Sequence, residues 1–227
     1  MQNLQQHLPP ELVVFDVDGT LHDTFRWWAP VIRSGVQRFA EQNGIDLALP
    51  SDTEAEAVVG MKDAGVWAPF LPDGHKHRWH DLRAVVLPME VEIVSNGTDY
   101  LFAGVRTLLP HLRAIGVKVA LASNCRRTYM GAMQHGQGLA ALSDWQFCLD
   151  SDGVETKTDM LRLAREAAGA ERVVMVGDRE PDHEAARALG WPFVWRRNGR
   201  CCIDDAELVW NGDPDQLLRG LGLPGID

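Results

Sequence analysis

Residues 13–20, VVFDVDGT, run an apolar stretch straight into two carboxylates, Asp16 and Asp18, followed by Gly19 and Thr20. Two carboxylates about 4 Å apart repel by roughly 4 kcal/mol at an effective dielectric near 20. A buried strand end has no need of that repulsion, so the pair predicts a neutralising group close by. Other apolar segments end in similar company: VALASN closes on Ser123 and Asn124, and VVMVGD closes on Asp178, with Asp182 four residues on. Lys157 stands where KTDMLRLAREAAGA takes up a helical period. Carboxylates serve in nucleophilic and acid–base catalysis, while an ammonium, hydroxyls and amides can hold an anion.

These residues need elements to bring them together. Apolar runs at 12–15, 117–122, 173–176 and 193–195, with a shorter one near 145–149, predict buried parallel strands. Helical patterns fall between them. GVRTLLPHLRAIG places Val105, Leu108, Leu109 and Leu112 on one stripe and Gly116 at its C-terminal cap, with a kink or break expected at Pro110. Met160, Leu161, Leu163 and Ala164 form a stripe ending near Gly169, and EAARALG repeats the scheme up to Gly190. Alternating strands and helices predict an α/β fold, a Rossmann-like open parallel sheet whose ligands bind beyond the carboxyl ends of its strands. Residues from about 25 to 99 show no convincing run of buried strands, so the expected organisation is a core of 1–23 and 100–227 with an inserted, mostly α-helical cap of 24–99.

The chain has 227 residues, 45% hydrophobic and 24% charged, enough to bury a sizeable core. A formal charge of −10 argues against nonspecific attraction to nucleic acid or to an acidic membrane. MQNLQQHLPPEL lacks the basic and apolar regions of a secretory signal, which makes the cytoplasm the expected location. Cys125, Cys148, Cys201 and Cys202 form no C-x-x-C pair and are expected to be free thiols.

With the ordered segments DVDGTL, the Ser123 strand end, Lys157 and GDREPD, the sequence resembles the haloacid dehalogenase (HAD) superfamily of phosphohydrolases. VGDREPDHEAARALGW resembles most the phosphoglycolate phosphatase-like branch, which carries its helical cap between the first and second motifs. The resemblance implies a phosphatase acting on a small phosphomonoester through an aspartyl-phosphate. Asp16 would be the nucleophile and Asp18 the general acid and base. Gly19, Thr20, Ser123, Asn124 and Lys157 would hold the phosphoryl group, Lys157 also neutralising Asp16. Mg²⁺ would be held by Asp16, Asp178 and the Asp18 backbone carbonyl, with Asp182 supporting it directly or through water. Thr158 follows Lys157 where many relatives have proline, a departure that bears on subfamily more than on chemistry.

Plainer roles stand beside these. Asp182 can cap the helix that follows it, and Asp23 can cap the first helix of the cap. HKHRWH, with His75, His77 and His80, lacks the pattern of a metal site and fits a solvated loop. Trp27, Trp28, Trp67 and Trp79 fit cap packing, while Arg26 and Lys62 are minor candidates for substrate contact. A phosphomutase on a sugar phosphate is the alternative enzyme, distinguished by isomerised product without orthophosphate. A 2-haloacid dehalogenase or phosphonate hydrolase fits poorly, since Asp18 is present. A noncatalytic phosphate-binding module would bind without turnover. Substrate identity and oligomeric state are not legible in the sequence.

Overall fold

The computed structural model describes residues 5–226, so residues 1–4 and 227 of the expected core lie outside the described residues. Six strands form one sheet, β1 (Leu12–Phe15), β2 (Lys118–Ala122), β3 (Trp145–Phe147), β4 (Val173–Gly177), β5 (Phe193–Arg196) and β6 (Leu208–Trp210). Their order is β3-β2-β1-β4-β5-β6, and every neighbouring pair is parallel. The order reverses at β1, which places a ligand-accepting crevice beyond the carboxyl ends of β1 and β4. Register fixes what stands there: Phe15 pairs with both Leu121 and Val176, so Asp16, Ser123 and Asp178 emerge together.

The central strands are apolar throughout because both sheet faces are covered. Val13, Phe15, Val119, Leu121, Val174 and Val176 bury one face. Against them pack α5 (Val105–Ala114), whose stripe is Val105, Leu108, Leu109 and Leu112, α6 (Arg127–Gly136) and α10 (Pro214–Gly220). Leu12, Val14, Ala120, Ala122, Val173 and Met175 bury the other face against α8 (Lys157–Ala168) and α9 (Glu180–Ala188). The split is the two-residue alternation of a strand. Gly116 follows α5 in the left-handed region at φ 87°, as a cap there requires. Pro110 does not break α5. Its missing N–H frees a carbonyl on the exposed side of the helix, where water can satisfy it.

Between β1 and β2 the described residues contain helices and turns and no strand of the sheet. The principal helices of this insertion are α1 (Trp28–Asn43), α2 (Asp52–Ala57), α3 (Ala64–Trp67) and α4 (Trp79–Ser95). The long α1 and α4 pack side by side, and α4 also packs on α6. Trp27, Trp28 and Trp67 are buried there in edge-on and tilted contacts, and the Trp28 indole donates to the Ala55 carbonyl at 2.7 Å. A short helix, α7 (Leu139–Leu142), leads into β3. No described helix is long and apolar enough to cross a membrane.

Candidate active site

Asp16 leaves the sheet one residue after β1, held by its N–H on the Val176 carbonyl at 2.9 Å. Its carboxylate is buried, with Oδ1 accepting from Lys157 Nζ at 2.5 Å. Lys157 is the first residue of α8, fixed by a capping box in which Thr156 and Asp159 satisfy each other's backbone. Its ammonium is buried too, and it also pairs with Asp182. Burial opposes the charged ammonium, but Asp16 and Asp182 outweigh it and raise its proton affinity above that of an ordinary lysine. Lys157 therefore neutralises Asp16, one member of the acidic pair.

One cation does not suffice. Asp16, Asp178 and Asp182 each bring an oxygen within 4.8 Å of the others. Burial pushes the Asp16 carboxyl well up, against the pull of Lys157, and Asp182 and Asp178 push it further. Burial likewise raises Asp178 to about 7, reinforced by Asp182 and opposed by Arg179 and by a 2.8 Å hydrogen bond from Asn198. Asp16 Oδ2 is buried without a hydrogen-bond partner among the described residues. An orphaned oxygen among crowded hard carboxylates fits Mg²⁺, which takes a few carboxylates and keeps some of its waters. Gly19 completes the fit. At φ 89° it turns the chain back, and a Cβ there would lie 2.5 Å from Asp178 Oδ2.

Asp18 sits in a different environment. Its Oδ1 accepts from Thr24 at 2.6 Å and from Tyr129 at 2.9 Å, with His22 Nδ1 at 3.6 Å and bonded to Thr24 at 2.8 Å. Burial alone would raise its proton affinity, but His22, Thr24 and Tyr129 win and hold it below the usual carboxylate range. The two aspartates of DVDGT therefore have opposite electrostatics.

Asp16, Asp18, Ser123 and Asn124 share a cavity of about 90 Å³ with residues of the helical insertion. Asn124 Nδ2 donates to the Gly60 carbonyl at 3.0 Å, so its amide ties the insertion to the strand end. Thr20 is fully buried, with its hydroxyl 3.5 Å from Asp178 Oδ1, behind the cavity rather than on its wall. Asp182 accepts at 3.1 Å from the N–H groups of both Asp178 and Arg179; α9 begins ahead of it at Glu180, so it reaches back from the third helical position instead of capping a helix that follows, and it also pairs with Lys157. Asp23 stands before the first turn of the insertion without a side-chain cap bond. Arg26 donates to the Asp99 carbonyl and Lys62 to the Glu155 carbonyl, and neither lines the cavity. Cys125 lines it, but burial and Asp18 push its thiol well up, which makes it a poor nucleophile. Thr24, His22, Tyr129, Asn198, Arg83 and Glu90 escaped sequence reasoning. The T directly after LHD carried no signal, and a tyrosine in RTYMGAMQHG reads as ordinary packing.

The sequence model of haloacid dehalogenase-like hydrolases matches residues 10–190. The chain belongs to this family. Among curated relatives, the tyrosine-protein kinase PtkA of Mycobacterium tuberculosis is 33% identical over 202 residues, 80% of this chain and 60% of that protein. The chain thus spans only 60% of PtkA's length. The phosphoglycolate phosphatase of Pseudomonas putida is 28% identical over 84% of this chain and 71% of its own. A haloacid dehalogenase-like family protein from Streptococcus pneumoniae superposes with a TM-score of 0.75 at 16% identity, over 93% of this chain and 98% of that one, a likeness of fold. The family, its phosphoglycolate phosphatase-like branch and the open parallel α/β sheet all agree with the sequence expectations.

Proposed function

We propose that the protein is a Mg²⁺-dependent phosphatase that hydrolyses a small phosphomonoester, of the phosphoglycolate or sugar phosphate type, through an aspartyl-phosphate on Asp16. The observation that carries this is the Asp16 carboxylate, one oxygen on Lys157 and the other without a protein partner, at the floor of a cavity it shares with Asp18. The insertion residues that line this cavity, among them Trp28, Val59, Trp67 and Glu90, are read as part of a cap spanning 24–99.

In this proposal the phosphoryl group lies between Asp16 and the Ser123–Asn124 turn. Asp16 attacks phosphorus, the ester P–O bond breaks as the aspartyl P–O bond forms, and Asp18 delivers a proton to the departing alcohol oxygen. A water then attacks phosphorus, Asp18 takes its proton, and orthophosphate leaves Asp16. The donors on Asp18 favour the ionised form needed for that second step. An arriving phosphoryl dianion raises its proton affinity for the first. Lys157 keeps Asp16 and the transferring group from repelling each other, and Ser123 offers a hydroxyl to a phosphoryl oxygen. Mg²⁺ held by Asp16, Asp178 and the Asp18 carbonyl, with Asp182 behind, would supply positive charge to the transferring group.

The test is orthophosphate release from a phosphomonoester panel with and without Mg²⁺. Chelator should abolish release, Asp18→Asn should lower kcat by about 10²–10⁴-fold, and Asp16→Asn should form no phosphoenzyme. Appreciable turnover by Asp16→Asn would refute the proposal. The relation to PtkA favours one second reading, phosphoryl transfer to a protein tyrosine. The cavity of about 90 Å³ is well below the roughly 300–1,000 Å³ of common ligand clefts and suits a compact ester better. Transfer from ATP to a polypeptide, without release from small esters, would reverse that preference.

A further inference from the structure

The wall of the cavity opposite Asp16 is built by the insertion. Trp28, Val59, Trp67 and Leu87 make it apolar, and Tyr129 closes it beside Asp18. Four charged side chains enter it above the aspartates: Asp63, Arg126, Arg83 and Glu90. Asp63 and Arg126 are spent on each other at 2.5 Å, and Arg126 also on Asp150 at 2.7 Å. Arg83 and Glu90 have no hydrogen-bond or ion-pair partner within the protein among the described residues. They lie two turns apart on α4, with Leu87 between them, and so share a face. Glu90 is the deeper, only 7% exposed, and close enough to Asp18 and Tyr129 for its charge to bear on both.

A carboxyl group does not sit in an apolar cavity without cost. Burial strips Glu90 of part of its hydration, and its oxygens face the cavity rather than a partner among the described residues. Core packing would be served by leucine. Glu90 is positioned to meet something that enters the cavity with the phosphoryl group.

We infer that Glu90 determines specificity by hydrogen bonding a hydroxyl on the organic part of the substrate, which makes that substrate a hydroxylated phosphomonoester of the sugar or polyol class. This rests on the phosphatase reading only for where the phosphoryl group lies. A hydroxyl suits Glu90 in either protonation state, since it donates to a carboxylate and both donates to and accepts from a carboxylic acid. A substrate carboxylate would meet the charge of Asp18, which stays ionised, and a substrate ammonium would share the cavity with the Arg83 cation. Indole and aliphatic walls supply the apolar faces against which the C–H edges of a polyol pack. Burial and Asp18, against the pull of Arg83, raise Glu90 to about 8, so near neutrality its acid form predominates and spares the cavity another negative charge.

The experiment compares binding, by calorimetry in Mg²⁺, of propylphosphonate and its analogues bearing a terminal hydroxyl, amine or carboxylate. These ligands have no ester to cleave, so the outcome is independent of turnover on the phosphomonoester panel. The wild-type protein should prefer the hydroxyl analogue over propylphosphonate by about fivefold, the worth of one net hydrogen bond. Glu90→Leu should bring that ratio to about one while leaving propylphosphonate affinity within about twofold, and Glu90→Gln, which keeps an amide donor and acceptor, should retain most of it. A ratio unchanged in Glu90→Leu, a wild-type preference for the amine or carboxylate, or an equal loss for all four ligands would overturn the inference. If Glu90→Leu does not fold, the wild-type order and the Glu90→Gln ratio decide.

Discussion

The Asp18 carboxylate takes both of its hydroxyl donors, Thr24 and Tyr129, on the same oxygen. Each donor favours the ionised form, so losing one raises the proton affinity of Asp18. Tyr129→Phe should therefore move the acid limb of the kcat/KM profile to higher pH and lower the rate at the acid end of the profile more than at neutrality, read by orthophosphate release across the pH range. An unshifted limb would separate Tyr129 from the proton transfers. Glu90 gives a second pH signature, in stability. Its proton is held to about 8 in the folded protein against an ordinary value of 4.5. The folded state carries the extra proton between those limits, so this contribution is full below the ordinary value and is lost as pH rises through about 8. Glu90→Gln should gain in Tm relative to the wild type as pH climbs across that window, as thermal melts at fixed ionic strength would read. The sequence concealed both residues for one physical reason: a lone glutamate or tyrosine on a helix is normally a solvated or packing residue, and only tertiary placement turns it toward a site.

At the scale of elements, β1, β2, β4 and β5 were legible because strands covered on both faces must be apolar without interruption. Strand β6 was not, for Leu208–Trp210 is a three-residue edge with two half-buried members, and its apolar content is that of many loops. Helix α6 also went unread, since its apolar positions are broken by Gly131 and its end by Gly136. Gly136 is the price of a close crossing: a Cβ there would lie 2.1 Å from the Val94 carbonyl oxygen of α4. Gly136→Ala must therefore push apart the helix that carries Tyr129 and the one that carries Glu90. The expected cost is about 1–3 kcal/mol, measurable by denaturant melts, with KM rising more than stability alone explains. A neutral alanine would show that the crossing yields freely. Of the candidate site, the acids and Lys157 were legible as strand and helix ends, because position relative to a parallel sheet is set by order in the chain. Which of them faced the cavity was not, and Thr20 proved to lie behind it.

Across the whole molecule, the groups proposed for chemistry stand on the sheet while most of those proposed for selectivity stand on the insertion, and beside the apolar packing of α4 on α6 a set of polar contacts crosses the seam between them. Arg179 donates to the Glu56 and Ala57 carbonyls at 2.8 and 3.1 Å, Asn124 to Gly60, and Arg126 pairs with Asp63. The Arg126–Asp63 pair is about one-third exposed on each side, which limits its worth to roughly 0.2–1 kcal/mol. Asp63→Asn, which tolerates the φ of 47° at that position, should raise KM by no more than about fivefold and leave Tm nearly unchanged. A large loss of kcat would instead mean that the seam bears on the chemistry itself. Lys157 brings a consequence on the same scale. Because a resident ammonium already lies between Asp16 and Asp182, the acidic centre holds a permanent counter-charge of its own. On the proposed reading, withdrawing Mg²⁺ should therefore silence catalysis and leave the fold standing, as thermal melts with and without chelator would read.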